Sequence, residues 1–320
     1  MAFFSSELAF DITTLDLHAV YAQPRNFGFI VADPVTFTPP ALAFGGGTLT
    51  IPSVTITPGT ILGVTAGQQT LLIGGNNVAV NPFGEAIGGQ VTLIGQTLDG
   101  QVQFLLAGLN TSANAVSLAT GSVATEDDAL LFYGLLVRND FIALSAGNDR
   151  FDAGEGKDLV VDQGGADKIS GGYGDDFVLS GKGNDTVDAG SGSDLVLGGA
   201  GDDRIVAGLG NDVIWAGMGN DISAGGGGQD VFIFKPGDGK DHIMGFAAAN
   251  DQILFAGPVS GLANLHMRQM GADLKITFAD VTVILDQTLR SSVTLADFDI
   301  GGNGALEGAA HRFFDGWDYS

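Results

Sequence analysis

An aspartate that returns every nine residues is the feature that most constrains how this chain can fold. The period covers residues 144–234 and places a glycine two residues before each aspartate. An apolar residue stands two residues after it in every repeat except one, where Ser223 takes that position. The ten aspartates are Asp149, Asp158, Asp167, Asp176, Asp185, Asp194, Asp203, Asp212, Asp221 and Asp230.

The residue types of one repeat predict its geometry. Glycine adopts positive φ freely, so the six residues ending in each aspartate predict a turn on which carbonyl oxygens converge. The next three residues predict a short strand whose middle side chain points inward. One repeat therefore makes half a turn of a flattened coil, and the next makes the opposite side. Carboxylate and carbonyl oxygens, without His or Cys, are hard ligands suited to Ca²⁺.

The repeat resembles the RTX (repeats-in-toxin) nonapeptide GGxGxDxUx, a calcium-binding coil signature. The resemblance implies that the ten aspartates bind Ca²⁺, that aspartates two repeats apart share an ion, and that up to about eight ions are bound. Two turns depart from the family pattern: Leu144 with Ser145, and Asp162 with Gln163, stand where the family has its glycine pair. The implied carbonyl ligands lie near Gly154, Gly156, Gly172, Gly174, Gly181, Gly183, Gly190, Gly192, Gly199, Gly201, Gly208, Gly210, Gly217 and Gly219.

The composition of the chain limits which partners it can bind and where in or outside the cell it can act. The chain of 320 residues has a net charge of −24, so its 13 Lys and Arg cannot neutralise a nucleic-acid backbone. No run of eighteen apolar residues predicts a membrane span, and residues 1–10 lack the basic region of an ordinary signal peptide. The chain has no cysteine, which fits a secreted protein that uses metal in place of disulfides. The RTX resemblance implies export by a type I secretion apparatus and a location outside the cell or on its surface.

We expect an all-β protein whose first part, residues 1–143, is a β-rich domain of sandwich or solenoid-like type. Short β-branched and aromatic runs at 26–31, 48–57, 60–65, 90–94, 101–106 and 129–137 alternate with Gly, Pro and Asn. Arg25 and Arg138 are its only fixed positive charges, against ten acidic residues. This low-charge surface indicates either contact with further copies of the chain or a small structural domain.

The side chains that flank each inward residue should point outward, and they follow a slower, eighteen-residue period. They are mainly polar in odd-numbered repeats and apolar in even-numbered ones, so one sheet of the roll should be apolar on its outer face. An apolar face that runs along a whole sheet must be covered, either by another part of the same chain or by a second subunit. The candidate interface residues are Leu159, Val161, Phe177, Leu179, Leu195, Leu197, Val213, Trp215, Val231 and Ile233.

Residues 235–300 are expected to form a C-terminal β cap that carries the secretion signal. The segment 234–255 resembles the segment that follows RTX rolls, matching it at Gly237, Asp238, Gly239, Asp241, Ile243, Phe246, Asp251 and Ile253. Alternating apolar residues at 270–285 predict a β-hairpin, and 295–300, LADFDI, resembles the terminal motif of type I substrates. The tail at 301–320 is either disordered or a docking arm.

No enzyme signature was found in the sequence. HExxH, GxSxG and GK[ST] are missing, and His18, His242, His266 and His311 are isolated from one another. The leading hypothesis is therefore a calcium-folded structural protein that self-assembles outside the cell as an S-layer, filament or matrix. The first alternative is a monomeric adhesin or polysaccharide-binding module. The second is a polysaccharide-active enzyme, for which the N-terminal part offers Glu7, Asp11, Asp16, Asp33, Glu85 and Asp99.

Overall fold

The computed structural model describes residues 136, 139–144, 146–256 and 265–300, and before these the backbone of ten strands between residues 3 and 112. The ten N-terminal strands are β1 (Phe3–Ser5), β2 (Asn26–Val31), β3 (Val35–Phe37), β4 (Leu42–Phe44), β5 (Gly47–Leu49), β6 (Val54–Ile56), β7 (Thr60–Ala66), β8 (Gln69–Val80), β9 (Ala86–Leu98) and β10 (Gln101–Ser112). The described part is almost entirely β, as the sequence predicts.

The repeats form a parallel β-roll of about six turns, which confirms the predicted fold class. Strands of successive repeats alternate between two sheets. One sheet receives β11 (Phe141–Ala143), β13 (Leu159–Val161), β15 (Phe177–Leu179), β17 (Leu195–Ala200), β19 (Val213–Met218) and β21 (Val231–Phe234). The other receives β12 (Arg150–Asp152), β14 (Lys168–Tyr173), β16 (Thr186–Ser191), β18 (Arg204–Leu209) and β20 (Ile222–Gly227).

The C-terminal segment continues both sheets of the roll. Its elements are β22 (Lys240–Met244), β23 (Gln252–Phe255), β24 (His266–Met270), β25 (Asp273–Phe278), β26 (Val281–Leu285), 3₁₀ helices at Arg290–Ser292 and Leu295–Asp297, and β27 (Phe298–Ile300). Strands β23 and β27 extend the first sheet in parallel, whereas β22 and β26 extend the second. The predicted hairpin at 270–285 is confirmed as the antiparallel pair β25–β26. The tail 301–320 lies outside the described residues.

The N-terminal strands join the first sheet of the roll. Strands β2, β7, β8, β9 and β10 pair antiparallel, and β1 then connects them by pairing with β10 on one side and, in parallel, with β11 on the other. One sheet of fourteen strands results, so the parallel pairing begins before residue 144 and runs beyond residue 234. Strands were predicted at 26–31, 48–57, 60–65, 90–94 and 101–106 and are present there in whole or in part. The prediction at 129–137 lies outside the described residues apart from residue 136.

The core is the space between the two sheets of the roll, and the predicted inward positions fill it. All ten are buried, including the polar Ser223. Burying an aliphatic or aromatic side chain contributes about 1.5–3 kcal/mol, so this column holds the two sheets together. The ten are Phe151, Val160, Ile169, Val178, Val187, Val196, Ile205, Ile214, Ser223 and Phe232.

The two outer faces of the roll differ as the eighteen-residue period predicts. On the second sheet the outward residues are mainly exposed or half-buried, among them Arg150, Lys168 and Arg204. On the first sheet all ten candidate interface residues are buried or half-buried within the single chain; Phe177, for example, is fully buried. This burial favours the alternative that the same chain covers the apolar face.

Candidate metal centre

Two ladders of aspartates run along the two edges of the roll. The backbone N–H of each aspartate donates a hydrogen bond to Oδ1 of the aspartate one full turn further on, and eleven such bonds span 2.6–3.2 Å. One ladder contains Asp140, Asp158, Asp176, Asp194, Asp212, Asp230 and Asp251. The other contains Asp149, Asp167, Asp185, Asp203, Asp221 and Asp241. All ten predicted aspartates are therefore brought into the two ladders.

The second carboxylate oxygen of most ladder aspartates is buried without a hydrogen-bond donor. Leaving a charged acceptor buried and unsatisfied costs several kcal/mol, so these atoms require protons or cations. Carboxylate oxygens are ligands that Ca²⁺ favours, and the residues present therefore fit the ion. The Oδ2 atoms concerned belong to Asp158, Asp167, Asp176, Asp185, Asp194, Asp203, Asp212, Asp221, Asp230 and Asp241.

Burial raises the pKa of the ladder carboxyl groups. Desolvation, with the like charge of Asp176 added to it, raises the pKa of Asp158 to about 9. Desolvation likewise raises the pKa of Asp176 to about 8 and that of Asp194 to about 7, although backbone N–H donors oppose the shift. Metal-free ladders therefore hold protons that exposed aspartates would lose.

Three ladder members were missed by the sequence analysis. Asp140 stands nine residues before Asp149, so extending the period by one repeat would have found it. Asp241 and Asp251 follow their ladder neighbours by 20 and 21 residues, because the turns before them carry insertions. Asp251 ends its ladder, since its Oδ2 accepts a hydrogen bond of 2.7 Å from the Ala247 backbone N–H.

Stacked glycines let the turns approach closely enough to form the ladders. Gly183 has φ of +129°, and a Cβ built on it would lie 1.3 Å from the Gly165 carbonyl oxygen. No other residue type could occupy this position without moving the turn below it. The sequence pattern of glycine two residues before each aspartate is thus a requirement of stacking.

The predicted carbonyl ligands also participate in the stack. The Gly154 carbonyl accepts a hydrogen bond of 2.8 Å from Tyr173 N–H, and the Gly181 carbonyl accepts one of 3.0 Å from Ala200 N–H. A carbonyl oxygen has two lone pairs, so each can still face a cation. Their role as ligands stays a prediction.

A second, outer ladder of polar side chains was not predicted. It uses Asn, Asp and Ser side chains that directly precede ladder aspartates: Asn139 Oδ1 accepts from Lys157 N–H at 3.0 Å, and Asn211 Oδ1 accepts from Gln229 N–H at 2.8 Å. These bonds tie adjacent turns without metal. The frequent Asn, Asp and Ser at this position were the available sequence signal.

The third turn differs from the others. Asp162 lies buried in the position where the first turn has Leu144 and the other turns have Gly, Ala or Ser. Its carboxylate lies close to those of Asp149 and Asp167, with one oxygen from each within 4.8 Å of the others. Burial and the neighbouring Asp167 carboxylate raise the pKa of Asp162. Gln163 donates a hydrogen bond of 3.0 Å from Nε2 to the Leu144 carbonyl.

The residues considered for catalysis do not form a site in the described part of the chain. His242 Nδ1 lies 3.1 Å from Asp286 Oδ1, and His266 is exposed on β24. His18, His311 and the acidic residues named for polysaccharide chemistry lie outside the described residues. Among the described residues, no helix has the length and apolar character needed to cross a membrane.

A flattened coil of parallel strands whose edges carry buried, cation-seeking carboxylates defines a metal-binding β-roll. The family described as the RTX calcium-binding nonapeptide repeat, four copies long, matches residues 138–161, 163–196 and 197–232. Residues 138–232 are therefore RTX repeats, which confirms the resemblance, and repeats of this kind bind Ca²⁺. RTX repeat domains are typically non-catalytic and typical of secreted proteins.

Solved structures similar to this chain include two bacterial proteins. The extracellular lipase LipA from Serratia marcescens is 20% identical over 50% of this chain and 38% of its own, with a TM-score of 0.27. A subunit of the mannuronan C5-epimerase from Azotobacter vinelandii is 24% identical over 39% of this chain and 78% of its own, with a TM-score of 0.28. This chain therefore spans well under half of the lipase. No curated protein matches the sequence.

Proposed function

We propose that the roll is a calcium-dependent folding unit of a secreted protein. The observation that carries this proposal is the set of ten buried Oδ2 atoms without hydrogen-bond donors. Stacked carboxylates repel one another when no cation lies between them, and each ion placed between two turns removes that repulsion. Binding and folding are therefore one equilibrium, because the paired carboxylates exist only when the turns are stacked.

The calcium concentration then decides whether the roll folds. Extracellular calcium modules bind with dissociation constants of about 10⁻⁴–10⁻³ M, so they are empty at low intracellular calcium and occupied outside the cell. The roll accordingly stays unfolded before export and folds after it.

The C-terminal motif fits the same order of events. Phe298 is buried, and β27 pairs with β23 as the last strand of the fourteen-stranded sheet. A type I secretion apparatus would read this segment only while the chain is unfolded. Low calcium before export keeps the proposed signal accessible.

Circular dichroism of the full chain tests the folding proposal. We expect a chelator to abolish the β signal of the roll and millimolar Ca²⁺ to restore it. Mg²⁺ at the same concentration is the control and should restore far less, because it demands a smaller octahedral site and gives up its waters reluctantly. A metal-free chain that keeps the full β signal at neutral pH would refute the proposal.

The finer role that we propose is an extracellular structural protein that self-assembles. Its support is the composition of residues 1–143, with two fixed positive charges and ten acidic residues in a segment rich in β structure. Because burial of the apolar face favours cover by the same chain, assembly would use the N-terminal part. Electron microscopy with and without millimolar Ca²⁺ tests this role: sheets or filaments that need the ion support it, and a monomer in both conditions excludes it.

A polar groove supports binding of a polysaccharide as the second candidate. The groove has a volume of about 700 Å³ and runs along one edge of the roll past Lys157, Asp175, Ser193, Asn211 and Gln229. Hydroxyl-rich ligands suit such a lining of donors and acceptors. Glycan pull-down with the calcium-loaded monomer tests it, and Asn211→Ala together with Ser193→Ala should reduce retention if the groove is the site.

A further inference from the structure

We propose that Asp149, Asp162 and Asp167 form a three-carboxylate cation site that binds more tightly than the other sites of the roll and prefers a trivalent ion. The inference rests on the proposed calcium-binding function and assigns a distinct property to one turn. The new element is Asp162, which lies outside the aspartate position of the nonapeptide.

The three side chains converge in a buried place. One oxygen of each carboxylate lies within 4.8 Å of the other two, and no other group of three or more His, Cys, Asp or Glu side chains in the described part of the chain does so. Asp162 is 4% exposed. Its Oδ2 accepts a hydrogen bond from Gly164 N–H, whereas its Oδ1 has no hydrogen-bond partner.

Neighbouring turns show independently that a side chain at this position points into a ladder site. A Cβ built on Gly171 would lie 2.6 Å from Asp176 Oδ2, and one built on Gly198 would lie 2.8 Å from Asp203 Oδ2. Both glycines stand five residues before the aspartate that they face, as Asp162 stands five residues before Asp167. A side chain at this position therefore lies next to the ladder carboxylate, as that of Asp162 does next to Asp167.

Gln163 changes the same site in a complementary way. Its amide donates to the Leu144 carbonyl at 3.0 Å, and so ties the third turn to the first turn. Asp162 adds a carboxylate oxygen as a candidate ligand. The substitution that breaks the family pattern thus adds negative charge where the pattern supplies only dipoles.

The number of carboxylates at the site predicts which cation it prefers. Ladder pairs elsewhere offer two carboxylates to an ion, whereas this site offers three. Ligand charge is one of the variables that sets calcium affinity, and the additional carboxylate favours a trivalent lanthanide over Ca²⁺. Tb³⁺ is therefore the probe that separates this site from its neighbours.

The experiment compares Asp162→Asn and Asp162→Gly with the unchanged full chain. Asp162→Gly installs the residue found at positions 171, 198 and 225, so it preserves folding of the turn. Asp188→Asn is the matched control, because it removes the same charge from an exposed position on the second sheet. Each protein is titrated with Tb³⁺ in excess Ca²⁺, and bound metal is counted after gel filtration.

We expect the unchanged chain and Asp188→Asn to retain one Tb³⁺ in the presence of Ca²⁺. Both Asp162 variants should lose that preference, with affinity for the tightest Tb³⁺ falling on the order of 10-fold or more. Wild-type Tb³⁺ binding by both Asp162 variants would overturn the inference while leaving calcium-induced folding intact. So would tighter Ca²⁺ binding by Asp162→Asn, which would mean that Asp162 shares a proton with Asp167. A chain that binds no Ca²⁺ at all would overturn the proposed function as well.

Discussion

Each ladder aspartate divides its two carboxylate oxygens between two tasks. Oδ1 accepts a hydrogen bond from the backbone of the turn before it, as Asp194 Oδ1 does from Asp176 N–H at 2.8 Å. Oδ2 stays buried and available to a cation. An aspartate therefore sets the spacing of the turns and binds the ion with the same side chain.

Replacing Asp194 by Asn tests this division. The amide oxygen can still accept from Asp176 N–H, but the amide nitrogen turns a donor toward the cation. We expect Asp194→Asn to require about 10-fold more Ca²⁺ for folding, measured as the midpoint of a calcium titration by circular dichroism. Asp188→Asn serves as the control, and equal midpoints for the two variants would contradict a ligand role for Asp194.

At the residue scale the sequence predicted the repeated ligands and missed those that break the repeat. The ten aspartates with regular spacing were found because one geometric unit recurs. Asp241 and Asp251 follow insertions, so counting could not reach them. Asp162 was recognised only as a departure from the glycine pair of the family pattern. Its role could not be predicted, because burial of its carboxylate beside Asp167 depends on how turns stack in three dimensions.

At the element scale, the turns tolerate less change than the strands. All but one of the roll strands have an apolar inward side chain, which Val, Ile and Phe all provide. A turn must pass within van der Waals distance of the turn beneath it. The Gly183 turn illustrates this limit, since both its φ and the adjacent Gly165 carbonyl exclude a side chain.

Gly183→Ala should therefore destabilise the calcium-loaded roll strongly. Positive φ alone costs about 1–3 kcal/mol for a residue other than glycine, and the overlap with the Gly165 carbonyl adds to it. Gly237→Ala provides a matched control, because Gly237 has φ of +96° with nothing within 4 Å of the built Cβ. Urea unfolding in excess Ca²⁺ measures both, and equal losses would show that close stacking contributes nothing.

The sequence could not show how the N-terminal strands attach to the roll. Their β character was predicted from composition, but β1 lies more than a hundred residues before β11, its partner in the roll. Pairing over that separation leaves no local pattern, since neither strand's side-chain alternation identifies the other. Strands such as β2 and β7 could therefore be predicted, whereas β1 and the common sheet could not.

At the scale of the whole molecule, the buried carboxyls link stability to pH. The pKa values of the folded, metal-free ladders are raised to about 6 for Asp185, about 7 for Asp194 and about 9 for Asp158. An unfolded aspartate titrates near 3.9. The folded state thus binds more protons between these limits, and stability is lost as pH rises through the folded values.

We therefore expect acidification to order the metal-free roll. In the presence of a chelator that is effective throughout the range, the β signal should increase as pH falls from about 9 toward 5. Asp158→Asn should weaken the upper part of this response, because it removes a group whose pKa burial raises to about 9. Sedimentation at each pH checks that the signal comes from the monomer. A β signal that declines throughout this acidification would contradict the linkage.

The unlike outer faces of the two sheets predict which deletions the molecule accepts. Removing residues 180–197 deletes two repeats, and each remaining strand keeps its sheet. Removing 180–188 deletes one repeat and would move the apolar pair Leu195 and Leu197 to the solvent side. We expect the first variant to fold with Ca²⁺ and the second to misfold or aggregate, as circular dichroism and light scattering would show. Equal folding of both would contradict this requirement.

The architecture thus distinguishes an even from an odd number of added or lost repeats. A nonapeptide is the unit of chemistry, but a pair of nonapeptides is the unit of inheritance. Duplication or loss of a single copy moves every later strand to the other sheet, and so exchanges its covered outer surface for a water-facing one, or the reverse. Rolls descended from this one should therefore differ in length by even numbers of repeats, and an odd step should be accompanied by rewritten surfaces downstream.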